Sequence, residues 1–325
     1  MKMNGSRIKY MLACAVLAII QTGWSAVYSS TNSGDWAGSG TWDIAGAPGA
    51  AAGDTAYMKG HSVTSSAAVA NNLNSLGVLV NTNSVLWMNS GSSITATGNV
   101  TVSYGKIIVR TNAVLTHKSS TGYIKITPDS GDNGELLING GSVSSTNSRP
   151  ILMGSAASTG AVGKITINSG SLVMDSYLQF NAGANTTLQV ALNGGTAQMN
   201  FITFANNAGH GAQSFTVNGG DLILTTGNEG GSFGFTDPTA KVWVEKGTIT
   251  FKGVDTQANF NAFTNTFKTW VANGNVDSAT LTDQQLQDGL SFNGTDAVLT
   301  VIPEPVTLGL FIVAGSTLLV LRRVM

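Results

Sequence analysis

The sequence predicts an all-β protein, a parallel β-helix (β-solenoid) of about seven coils with a cap at each end. Three observations predict it. Short apolar runs alternate with Gly-, Ser- and Asn-rich turns, a motif recurs without gaps about every 26 residues, and one amphipathic helical stretch follows the last copy. Charged residues make up only 10% of the 325, against ~25% in ordinary globular chains, while 42% are apolar. A disordered, solvated chain needs the opposite balance. Gly, at 40 residues, sits largely between apolar runs, where it marks turns.

The first segment, residues 1–25, has the three parts of a secretory signal. Lys2, Arg7 and Lys9 make a positive start, residues 10–20 are apolar, and small residues at Gly23 and Ser25 suit cleavage before Ala26. The expected partners at this step are the secretion translocon and signal peptidase. Cys14 is the single cysteine and lies in the removed part, so the mature chain has no thiol for a disulfide, a metal or a nucleophile. Residues 26–80 read as an N-terminal cap and first strands, with Trp36 and Trp42 placed to cover an open core.

Residues 81–255 carry the repeats. "LLINGGSV" from Leu136, "ITINSGSL" from Ile165, "VALNGGTA" from Val190, "FTVNGGDL" from Phe215 and "VWVEKGTI" from Val242 align without gaps. Alternation puts two apolar residues on one strand face, and Asn followed by Gly supplies a tight corner. The last Gly of each copy falls at 141, 170, 195, 220 and 247. Upstream, "LWMNSGSSI" has Gly91, whereas "IVRTNAVL" has Ala113 at the Gly position. One such unit cannot bury its apolar face alone, but stacked units can. Seven coils at ~4.8 Å would make a rod on the order of 30 Å long, with Asn residues stacked at one corner. The alternative is an antiparallel β-sandwich of hairpins, since Asn-Gly is also a hairpin signal.

Residues 256–301 read as the C-terminal cap. Phe260, Phe263, Phe267 and Trp270 have helical spacing, the helix ends near Gly274, and "DAVLTV" supplies a last strand. Residues 302–325 form a separate tail. Residues 306–321 carry no charge, and as a helix would span about 24 Å of membrane before Arg322 and Arg323, which stay cytoplasmic under the positive-inside bias.

Pro303-Glu304-Pro305, the apolar run and Arg322-Arg323, in that order, resemble the PEP-CTERM sorting signal of bacterial exported proteins. The resemblance covers residues 302–325 only. It implies an exosortase-type transpeptidase as a partner, which reads Pro303, Glu304 and Pro305 and detaches the protein from its membrane helix. It also implies a setting of exopolysaccharide production. The expected location is therefore the cell surface or the extracellular matrix, after transient anchoring in the inner membrane.

Sites of chemistry are sparse. Gly230-Gly231-Ser232-Phe233-Gly234 fits G-x-S-x-G but lacks the strand and helix of a nucleophile elbow. His61, His117 and His210 are far apart and read as turn or solvent-facing residues, without metal-ligand spacing. Asp129, Asp132, Asn133 and Glu135 gather in a Gly-containing loop that reads as an acidic turn, with weak calcium binding as the other option. Five of the sixteen basic residues lie in the terminal segments, and no basic stripe with aromatics suggests nucleic acid. No cofactor, catalytic residue or metal site is expected. The reading is a non-enzymatic structural protein that contacts exopolysaccharide or copies of itself. The alternative is a glycan-binding or adhesin module using Trp87 or Trp243. A polysaccharide lyase or hydrolase would need carboxylates that the fold brings together.

Overall fold

The computed structural model describes residues 25–205, 211–226 and 232–301. It is a β-solenoid of about eight turns. Each full coil contributes to three faces. The first face has nine parallel strands, from Val27–Ser29 to Phe233–Phe235. The second runs from Gly34–Asp35 to Lys241–Val244 and Val276–Asp277, and the third from Ser93–Ala96 to Gly247–Lys252. Asn133–Thr146 and Val162–Met174 bend across the corner between the second and third faces as single strands. The parallel ladders exclude the antiparallel sandwich. They begin at Val27, so residues 26–80 carry coils of the same solenoid and raise the count above seven.

The gapless alignment is the register itself. Leu136 pairs Ile165, Ile165 pairs Val190, Val190 pairs Phe215, and Phe215 pairs Val242. These residues are fully or almost fully buried, as are Ile138, Ile167, Leu192, Val217 and Val244 two places on, so like sits on like along the interior. On the first face Phe180 stacks on Phe204 at 4.7 Å, and Phe204 on Phe235 at 5.1 Å. Repetition thus gives each apolar side chain two neighbours of its own kind, which one coil could not supply.

The corner carries an asparagine ladder. Asn168 Nδ2 donates to Asn139 Oδ1 at 2.9 Å, Asn193 to Asn168 at 2.8 Å, and Asn218 to Asn193 at 3.0 Å. Glu245 takes the next rung and instead accepts from Ala279 N at 2.8 Å, tying the corner to the chain that follows the last coil. Despite Glu245 and Lys246, this corner keeps a left-handed residue, Gly247 at φ 110°. In the coil with Ala113 the left-handed residue is Asn112, at φ 60°. Asn193→Ala removes two ladder bonds at an exposed edge. The expected loss is about 1 kcal/mol, read as a shift in the urea midpoint; an unshifted midpoint would mean that the ladder adds no stability.

Two caps close the interior. At the N-terminal end Trp36 and Trp42 are buried edge-to-face at 5.2 Å, with Trp36 Nε1 donating to Pro48 O and Trp42 Nε1 to Trp36 O. At the other end helix α1, Gln257–Ala272, begins where the Thr256 side chain accepts from Asn259 N and ends before Gly274. It buries Phe263, Phe267, Trp270 and Val271. A short helix α2, Asp283–Asp288, follows behind a capping box of Thr282 and Gln285. Asp296–Val301 then runs antiparallel beside Gly247–Lys252, the Lys252–Asp296 ion pair at 2.9 Å fastening it. That reversal breaks the parallel edge on which another coil would add.

One polar pair interrupts the interior. His117 pairs Ala96 on one side and Ser145 on the other and is fully buried, so it is not the turn or surface histidine that its sequence suggests. Nε2 lies 2.9 Å from Gly98 O and Nδ1 2.9 Å from Ser145 Oγ. A carbonyl only accepts, so Nε2 carries the proton of the neutral ring and Nδ1 accepts from Ser145. Burial pushes the imidazole below its ordinary 6.5, reinforced by Arg149 and partly opposed by the bond to Gly98. The unfolded chain then binds more protons below pH 6.5, so this contribution to stability is lost as pH falls through that value. His117→Met, matching Met174 and Met199 in the same column, should reduce the drop in thermal midpoint between pH 7.5 and 5. An equal drop in both proteins would exclude His117 as its source.

Candidate polymer-contact groove

The outer side of the first face holds the candidate site. The residue before each of four successive strands is Tyr123, Pro150, Tyr177 or Phe201, because Ile124, Ile151, Leu178 and Ile202 are in register. Those four point inward, and of their predecessors Tyr123, Tyr177 and Phe201 are half-buried at the rim, while Pro150 is buried. Tyr177 and Phe201 stack at 4.6 Å with planes 10° apart. The next coil has Ser232 at this position, so among the described residues no ring continues the stack beyond Phe201. A groove of about 360 Å³ opens there, lined by Tyr177, Gln179, Phe201, Thr203, Gly234 and Thr236. Gln179 Nε2 donates to Asn181 Oδ1 at 3.1 Å, which orients the amide. Near the other end of the column the Arg149 guanidinium lies 5.3 Å over the Tyr123 ring and donates to its hydroxyl at 3.3 Å. The rim therefore passes from cationic to neutral along the rod. A flat, weakly polar ring with hydroxyls at its edge matches the neutral end: apolar surface on the aromatic faces, hydrogen bonds to the surrounding amide and hydroxyls.

The residues singled out in the sequence lie elsewhere. Ser25 and Ala26 stand at the entry to the first strand. Pro303, Glu304, Pro305, Arg322, Arg323 and the apolar residues 306–321 lie outside the described residues, as do residues 1–24. Among the described residues no helix is long and apolar enough to cross a membrane. Ser232 is buried beside a first-face strand and its hydroxyl has no hydrogen-bond partner among the described residues, while Gly230 and Gly231 of its motif lie outside them. His210 lies outside the described residues, and His61 is half-buried far from His117 in the chain.

The acidic loop is internally tied. Asp132 Oδ2 accepts from Asp129 N at 2.9 Å, and burial raises its carboxyl above the usual range. Glu135 pairs with Lys106 at 2.7 Å and accepts from Thr166 at 3.0 Å. Among the described residues no three His, Cys, Asp or Glu side chains are grouped to hold a metal ion. Trp87 is covered by Arg110 at 4.3 Å and donates to Ser62, and Trp243 has Lys241 at 5.8 Å, so neither presents a bare platform.

The fold defines the chain as a capped β-solenoid protein. No family model, curated protein or solved structure matches it.

Proposed function

We propose that the chain is an exported, non-enzymatic structural protein of the cell envelope or extracellular matrix. It enters through the translocon, loses residues 1–25 to signal peptidase, and is sorted by an exosortase-type enzyme acting at Pro303, Glu304 and Pro305. The observation that carries the structural role is the closed rod: ladders from Val27 onward, sealed by the tryptophans at one end and by α1 and the reversed strand at the other. Its outer corners present stacked amides and hydroxyls, such as the asparagine ladder and the Ser142–Ser171 pair at 2.9 Å. Such a surface suits contact with polysaccharide or with further copies of the rod. The test is intact mass and terminal sequencing of protein from the medium and from membranes, with matrix cohesion compared in cells lacking the gene. Released protein starting at Ala26 and ending near Pro303, with weakened cohesion on deletion, is expected. A membrane form retaining Arg323 would replace sorting by permanent anchoring.

A second reading, a glycan-binding or adhesin module, is favoured by the open end of the Tyr177–Phe201 stack. Phe201→Ala should abolish retention on insoluble polysaccharide while leaving the far-ultraviolet spectrum unchanged. Equal retention of wild type and variant would rule the groove out.

A further inference from the structure

Asp54 is 1% exposed and stands where the first and second coils of the first face meet. Its carboxylate accepts three backbone N–H groups. Oδ2 takes Gly49 N at 3.0 Å and Ala51 N at 3.1 Å, and Oδ1 takes Ala26 N at 2.9 Å. No lysine, arginine or histidine pairs with it among the described residues. A buried carboxylate without a counter-charge is costly. One of the three donors, however, is the nitrogen that cleavage before Ala26 would set free.

We infer that Asp54 is a receptor for the new N-terminus, and that removal of the leader turns the part-buried Ala26–Asp54 hydrogen bond into an ion pair that locks the first strand. The inference rests on the cleavage site proposed above. Signal peptidase, with water as co-reactant, breaks the bond between the Ser25 carbonyl carbon and Ala26 N. The carbonyl leaves as the carboxylate of the released peptide, and the nitrogen gains protons to become an ammonium. No rearrangement is needed, since the nitrogen is already at 2.9 Å and Ala26 O is held by Thr55 N at 2.8 Å. The bond of the precursor, charged only on its acceptor, thereby becomes charged on both partners. Folding of the first coil is in this way coupled to processing: the precursor's first strand is held less firmly than the mature one.

The pairing raises the pH at which the α-amine loses its proton above the ordinary ~7.7–8.0. Its stabilisation is complete below that value and is lost as pH rises through the native one. The nearby titratable groups are Tyr28 on this strand, Asp43, whose carboxylate accepts from Ser29 N at 2.8 Å, and Tyr57 and Lys59 farther along the paired strand. Burial, with Asp54, raises the Tyr28 phenol above 10, outside the window.

The test uses the full chain, expressed with its own leader in an exporting bacterium. The mature protein is sequenced from its N-terminus, and acylation of the α-amine by acetic anhydride is followed against pH in native and urea-unfolded protein. The expected result is a chain beginning at Ala26 whose native α-amine titrates about one pH unit or more above the unfolded one, and so reacts about tenfold more slowly near pH 8. Asp54→Asn should restore ordinary reactivity, and if that variant does not fold the wild-type comparison alone decides. A chain beginning at Ala26 with equal native and unfolded titration would show an ordinary backbone hydrogen bond only and overturn the inference, leaving the cleavage site standing. A chain beginning elsewhere would overturn both.

Discussion

Gly195→Ala is expected to destabilise the solenoid by about 2–4 kcal/mol, far more than an alanine at an exposed turn. Two separate costs meet at this residue. Its φ of +76° is left-handed, which costs an L-residue about 1–2 kcal/mol. In addition, a Cβ there would stand 2.3 Å from Gly170 O and 2.8 Å from Gly170 N, so the corner would have to move off the coil beneath it. The same column continues: a Cβ on Gly220 would meet Gly195 O at 2.3 Å, and one on Gly247 would meet Gly220 O at 2.5 Å. Displacing one corner therefore disturbs two ladders, including the asparagine bonds beside it. Gly160→Ala separates the two costs. Gly160 has φ +67° but nothing within 4 Å of an added Cβ, so it should lose only the conformational part, about 1 kcal/mol. Urea unfolding of both variants is the measurement. Equal losses would mean that the corners yield without cost and that the glycine column is a matter of backbone conformation alone.

That column was legible in the sequence because it repeats. Asn, Gly or Ser, then Gly at fixed distance from two apolar residues gave the register directly, and the asparagine ladder follows from it. The helix was legible for a different reason: Phe263, Phe267 and Trp270 have the spacing of one helical face, whether or not anything repeats. Coils before residue 81 were harder, because they lack the Asn-Gly corner and one is short, with Thr55 pairing Ser75. The Tyr177–Phe201 stack was hidden because its rungs are single residues joined by a register that the corner motif does not fix across the first face. A column search at the positions preceding Ile124, Ile151, Leu178 and Ile202 would have found it. Helix α2 left a visible sign, Thr282 three places before Gln285, that a search for capping boxes would have caught. His117 left none. In "VLTHK" it takes an inward position, and only the pairing with Ser145 and Gly98 explains why an imidazole is tolerated there.

Phe263→Ala is the second large effect, with an expected loss of about 3–5 kcal/mol. Phe263 and Phe267 are fully buried on the inner face of α1. Phe263 lies 4.7 Å from Phe251 of the third face's last parallel strand, and Trp270 lies 5.3 Å from Phe233 of the first face. The helix thus closes the interior by continuing its aromatic packing, so truncation leaves a cavity against the final rung. Phe260→Ala is the control, because Phe260 is only partly buried and stacks at 5.4 Å on Phe292, outside the rung. It should cost about 1 kcal/mol. If Phe263→Ala costs no more than Phe260→Ala, α1 is an ornament on the rod and not its seal. Where the loss appears is as informative as its size. A solenoid couples each coil chiefly to its neighbours, so a failing cap frays the rod from that end. Amide exchange should lose protection first in Lys241–Val244 and Gly247–Lys252, while Ile124–Ile126 and Ile151–Ser155 keep theirs. Uniform loss would instead mean that the coils unfold as one unit, with the C-terminal seal setting the stability of the whole rod.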